Sequence, residues 1–282
     1  MNIDLYPGVA HATSLNTSKH RDIVTSIQEQ SRLGCEYVKL ENVSPSKFRE
    51  FADSPLSHNF RLSYSTHDRI LIVKTPGFVH ETITGLFRQE LEIQLTMQGV
   101  SREVTCRSSP AHTNGTFTKM PDACWAPRAT DEITVVLETA SSESAQQLKT
   151  DAHGWIESIG DSVKTCITID FRGRDALTFQ VWQLGRKPRW STRLADPALA
   201  ICVQSVEVRR ESSTTVLQGF TSPDGTSKNT PNDCITLELG LFVGRPRKPH
   251  EKDIVFDAGL LRYIASEFWM LLDTHTMRQR RL

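Results

Sequence analysis

No excess of positive charge runs through this chain: its 282 residues carry 33 Lys and Arg against 33 Asp and Glu. A general basic field that could hold a phosphate backbone is therefore absent, and any nucleic-acid binding has to be local. There is no CxxC pair among the six cysteines, at 35, 106, 124, 166, 202 and 234. Several sit inside apolar runs, where a reduced thiol acts as a small hydrophobe, which speaks for a reducing compartment and against a zinc site. No apolar run follows Met1-Asn2-Ile3-Asp4, and nowhere are eighteen apolar residues consecutive. Neither secretion nor membrane spanning is expected, the expected location is cytoplasmic or nuclear, and the sequons at Asn16, Asn42 and Asn114 are read as idle. HExxH, GxSxG, GxGxxG and GxxxxGK[ST] are all missing, which removes the usual zincin, esterase, dinucleotide and P-loop chemistries. Ser141, Ser142 and Ser144 are thus better helix-capping residues than nucleophiles. No internal repeat or low-complexity segment is visible.

What is present is an alternation of short elements. The first sixty residues are polar and irregular, with helical stretches near 22–33 and 46–52. Ile70-Leu71-Ile72-Val73-Lys74 reads as a strand from its β-branched content, broken by Thr75-Pro76-Gly77. Ile83, Leu86, Phe87, Leu91 and Leu95 then recur at helical spacing, predicting an amphipathic helix over 80–98. Strands follow at 103–107, 117–124 and 133–139. Ala145, Leu148, Ala152, Trp155 and Ile156 give a second amphipathic helix, with Ser144 and Gln147 spaced as a capping box. Strands at 163–170 and 176–182 close the pattern. Helix, strands, helix and strand in this order predict an α/β core. Beyond 183 come strand-like stretches at 200–208 and 233–239 and a last helix over 260–274, with Leu261, Ile264, Phe268 and Leu271 on one face. The expected division is an N-terminal extension (1–66), a core (67–185) and a C-terminal elaboration packed on it (186–282).

Within that core, Asp122 heads one strand and Glu138, sixteen positions later, lies at the end of the next. A Mg²⁺-type ion prefers oxygen ligands and keeps several waters, so Asp122, Glu138 and the Thr139 carbonyl make a reasonable ligand set, with Glu81 holding an outer water. A bound ion at such a site lowers the pKa of an attacking water and stabilises a pentavalent phosphate, while a lysine ammonium offsets developing charge. Two residues after the Glu this chain has Ala140, which supplies no such charge. Taken singly, each residue also has an ordinary reading: Asp122 as a turn residue, Glu138 as a solvated strand end, Glu81 as an exposed helix start.

The stretch from Ile70 to Trp182 resembles a group of fungal proteins of unknown function with a PD-(D/E)XK, restriction-endonuclease-like core. The resemblance is carried by Ile70 to Pro76, His80-Glu81, Pro121-Asp122-Ala123, Val136-Leu137-Glu138, the helix ending in Trp155-Ile156, and Leu177 to Trp182. It implies a mixed sheet flanked by helices, Mg²⁺ or Mn²⁺ as cofactor, Asp122 and Glu138 as metal ligands and Glu81 as a helix-borne helper. Bacterial relatives can supply the lysine from the helix after the Glu strand; the matching slot here is Asp151, and Lys149 lies half a turn away as the migrated candidate. Two functions stay open beside a metal-dependent nuclease: a catalytically inactive module binding nucleic acid or protein, and a repurposed small-molecule enzyme using the same pocket. The basic runs 186–189, 245–248 and 278–281, with Trp190 as a stacking platform, form a phosphate-tracking groove if they converge on the carboxylates.

Overall fold

The computed structural model of the protein describes residues 15–16, 24–25, 27, 29, 37–107, 110–114, 117–141, 145–158, 162–172, 175–185, 199–211, 214–219 and 233–279. The expected features at 186–190, Ser142, Ser144 and Arg280-Arg281 lie outside them. The architecture is mixed α/β, with sheets flanked by helices. A seven-stranded sheet runs in the order β13 (Thr214–Gly219), β12 (Ala200–Glu211), β11 (Ala176–Leu184), β10 (Thr165–Arg172), β9 (Val135–Ser141), β8 (Ala123–Pro127), β5 (Val104–Arg107). Its neighbours are antiparallel except β9 and β10, which are parallel and joined by a helical crossover, α3 (Ala145–His153). Parallel neighbours require such a connection.

Period-two alternation gives this sheet two faces. Val135, Leu137, Ile167, Ile169 and Phe179 belong to the larger core, covered by α2 (Phe78–Met97), α4 (Leu239–Val243) and α5 (Ala258–Gln279). Val136, Cys166 and Trp182 belong to a second core with Ala152, Trp155 and Ile156. Thr139 continues the first set and Glu138 the second, so adjacent residues of β9 face different helices. Helix α2 ends where Gly99 takes a φ of 74°, a left-handed conformation that glycine adopts freely. Val100 N–H then donates to Leu95 and Gly99 N–H to Thr96, closing the end as a Schellman motif. On α5, Leu261, Ile264 and Phe268 are buried as the periodicity predicts, but Leu271 is exposed and Trp269 is buried instead.

A six-stranded sheet is ordered β1 (Leu15–Asn16), β2 (Tyr37–Glu41), β4 (Ile70–Lys74), β3 (Arg61–Ser65), β7 (Phe117–Lys119), β6 (His112–Asn114). Three differences from the sequence reading follow. Strands β2 and β3 lie in the stretch read as an N-terminal extension, since five-residue strands with only Val38 and Leu40, or Leu62 and Tyr64, facing a core leave a weak pattern. Residues 37–65 therefore share a sheet with the 70–74 run. The expected strand over 117–124 is two strands in two sheets. Met120 N–H still donates to Leu62, Pro121 cannot donate, and Asp122 N–H donates to Leu137, so the chain changes sheet at the proline. Of the 22–33 stretch, residues 24, 25, 27 and 29 are helical. α1 (Pro45–Ala52) is capped by Ser44, whose hydroxyl accepts from Lys47 N–H.

Among the described residues no helix is long and apolar enough to cross a membrane.

A candidate functional site where two sheets meet

The sheet change at Pro121 puts Asp122 between the two sheets, and five elements converge on the region around it. Helix α2 contributes His80 from its first turn; β4 and β7 end in Lys74 and Lys119; β9 contributes Glu138 and Thr139; α3 contributes Gln147 and Asp151. Asp122 Oδ2 accepts hydrogen bonds from Thr139 N–H at 2.7 Å and from Lys74 Nζ at 2.9 Å. Lys74 Nζ also donates to the Thr139 carbonyl at 2.7 Å and lies 3.9 Å from Glu138 Oε2. The Asp122 and Glu138 oxygens facing Lys74 are therefore no more than about 7 Å apart, which brings the two expected carboxylates into one centre.

Each flank of Asp122 and Glu138 is closed by protein. Asp122 Oδ1 lies 2.9 Å from His80 Nε2, without the alignment of a hydrogen bond, and 3.7 Å from Arg61 Nε. The His80 ring is also 3.0 Å from Thr139 Oγ1, which pairs with Thr84 Oγ1 at 3.0 Å. On the opposite face of β9, Trp155 Nε1 donates to Glu138 Oε1 at 2.6 Å. Trp155 sits in a π-helical turn, Gly154–Ser158, that continues α3; such turns re-aim a side chain and recur at functional sites. Lys119 Nζ is 2.5 Å from Asp151 Oδ1 and 3.5 Å from Glu138 Oε1, and 5.3 Å from the centroid of the Trp155 ring.

The electrostatics follow from who is paired with whom. Burial pushes the Asp122 carboxyl upward, but His80 and Lys74 outweigh it and hold the group well below the usual carboxylate range. Burial would neutralise Lys119, yet Asp151 and Glu138 raise its pKa above the ordinary value. Each lysine has a closer carboxylate than Glu138: Asp122 for Lys74, Asp151 for Lys119. Glu138 is the surplus anion, and burial pushes its pKa up to about 7, with Lys119 opposing. A cleft of about 30 Å³, lined by Tyr37, Arg61, Lys74, Lys119 and Gln147 among others, opens beside Glu138. That volume has room for a water or two.

The remaining expected residues are placed as follows. Glu81 is exposed on the rim and ion-pairs with Arg61 at 3.1 Å, touching the centre only through that guanidinium. Lys149 is exposed on α3 and does not line the cleft. The helix slot at Asp151 holds a carboxylate that grips a lysine delivered from another strand. Sequence reasoning missed Lys74, Lys119 and Arg61 as parts of the centre. The signal available was a lysine closing the apolar run Ile70 to Val73, since a charge at the end of a buried strand needs a partner. The expected groove is reduced as well: Arg245 pairs with Glu103 and Glu251, Arg247 with Asp253, and Lys248 with Glu251.

The donor set fits a divalent ion in its chemistry but not in its availability. Asp122 Oδ2 and the Thr139 carbonyl, two of the three expected oxygens, already accept from Lys74. Among the described residues no group of three or more His, Cys, Asp and Glu side chains is arranged to hold a metal. No protein-family model and no curated protein matches the chain.

Proposed function

We propose that this chain is a nuclease-derived module that acts by binding a partner rather than by cutting a phosphodiester. The derivation is supported by Asp122 entering one strand and Glu138 in the neighbouring one, on a mixed sheet with α2 before the pair and α3 after it. This is the arrangement by which restriction-endonuclease-like cores aim two carboxylates at one ion. The observation that carries the non-catalytic reading is Lys74, whose ammonium takes the Asp122 carboxylate and the Thr139 carbonyl. Hydrolysis by this chemistry needs an ion-bound water beside a scissile phosphate. Here both carboxylates are 2% exposed, and Asp122 is already engaged by Lys74.

A protein partner is favoured over nucleic acid by two features. The basic run at 245–248 is neutralised by the chain's own carboxylates. Tyr263, Met270 and Met277, seven residues apart on α5, form an exposed row of large side chains, the composition of an interface core rather than of a phosphate-tracking groove.

The test is a cleavage assay on single- and double-stranded DNA and RNA with Mg²⁺ or Mn²⁺, comparing wild type with Asp122→Asn. Equal background in both is expected. Metal-dependent cleavage by wild type that the substitution abolishes overturns the reading.

A further inference from the structure

We infer that the Lys74 ammonium is the resident cation of the carboxylate centre, standing where a divalent ion would be held, so that the centre accepts Mg²⁺ or Mn²⁺ only when Lys74 is removed. The inference rests on the nuclease-derived reading of Asp122 and Glu138 and adds a specific exchange of one cation for another. Its basis is the set of oxygens. Lys74 Nζ lies 2.7 Å from the Thr139 carbonyl, 2.9 Å from Asp122 Oδ2 and 3.9 Å from Glu138 Oε2. Two carboxylates and a carbonyl are the hard donors that Mg²⁺ and Mn²⁺ prefer.

The lysine comes from β4, in the six-stranded sheet, while all three oxygens belong to the seven-stranded sheet, Asp122 just before β8 and Glu138 and Thr139 within β9. Its side chain is 6% exposed, so the ammonium has lost its hydration and depends on these oxygens for compensation. A divalent ion on the same oxygens would sit against that ammonium, and two cations at that separation repel strongly in a dry environment. Occupancy by lysine and by metal is therefore mutually exclusive. An ammonium tethered to the fold also needs no dissociation equilibrium, so the centre is neutralised at any ambient metal concentration.

The experiment measures Mn²⁺ binding by calorimetry and thermal melting on wild type, Lys74→Ala, Lys74→Met, and each variant combined with Asp122→Asn. The expected result is no saturable binding and no melting shift in wild type. Lys74→Ala or Lys74→Met should bind Mn²⁺ saturably and melt about 5 °C higher at 100 times its Kd, and Asp122→Asn should abolish both effects. The methionine keeps most of the buried stem, so one variant should retain packing if the other loses it. If the variants unfold without metal, recovery of a cooperative melt on adding Mn²⁺ supports the exchange. Folded variants that ignore Mn²⁺, unfolded variants that Mn²⁺ does not rescue, or wild-type binding that depends on Asp122 each overturn it. Failure of the non-catalytic reading registers separately, as metal-dependent cleavage by the wild-type chain.

Discussion

Asp122→Asn removes one charge from the most buried part of the centre while nearly keeping shape. The wild-type carboxylate accepts from Thr139 N–H and Lys74 Nζ and faces His80 and Arg61. At 2.9 Å and an effective dielectric constant of about 20, the gross attraction to Lys74 is about 6 kcal/mol, most of which desolvation offsets. What the substitution exposes is the other half of that balance. Lys74 stays buried, with Glu138 at 3.9 Å as its remaining carboxylate, and an amide N–H₂ replaces an acceptor among donors. Breaking a buried pair this way costs about 3–5 kcal/mol, against about 1 kcal/mol for losing an ordinary hydrogen bond. Out of a total stability of about 5–15 kcal/mol, that is a large fraction.

Urea unfolding of the two proteins at pH 7 is the assay, read as midpoint and slope. A second readout uses pH. The Asp122 pKa is depressed on folding from its ordinary value of 3.8, so its contribution is fully present above that value and is lost as pH falls below it. Wild type should therefore lose its advantage over the variant on acidification. A loss under about 1 kcal/mol, or a gain of the kind expected for strained functional residues, would refute the argument that the centre is internally neutralised.

Glu138→Gln tests the surplus anion. Because folding raises the Glu138 pKa to about 7 from 4.5, its contribution is full below pH 4.5 and declines as pH rises through 7, by on the order of 2–3 kcal/mol. Urea titrations at pH 5 and pH 8 should show wild type losing stability relative to the variant at the higher pH; parallel behaviour contradicts the assignment. Lys119→Met takes the nearest cation from buried Glu138 and part-buried Asp151 and should cost about 3–5 kcal/mol. Exposed Lys149→Ala should change stability by less than about 0.5 kcal/mol. Similar melting curves for these two variants would remove Lys119 from the centre.

The amino-acid pattern by itself determined the elements whose signals are local. Helical spacing of Ile83, Phe87, Leu91 and Leu95 placed α2, the apolar run at 70–74 placed β4, and the apolar run within 133–139 and the alternation through 176–182 placed two central strands to within two residues of their starts. It also brought Asp122 and Glu138 together, since a carboxylate on either side of one antiparallel connection is a short-range relation. Only the tertiary structure decided what neutralises them. Lys74 is 48 residues from Asp122 in sequence and Lys119 is 32 from Asp151; both lysines arrive on strands of the six-stranded sheet, whereas Asp122 leads into the seven-stranded one and Asp151 lies on α3. No spacing rule links such positions, because a cation's partner is fixed by which sheets pack against each other. A charge at the end of a buried strand reveals that it needs a counter-charge. Which carboxylate answers it, and whether a metal is thereby displaced, depends on distances that exist only after the two sheets meet.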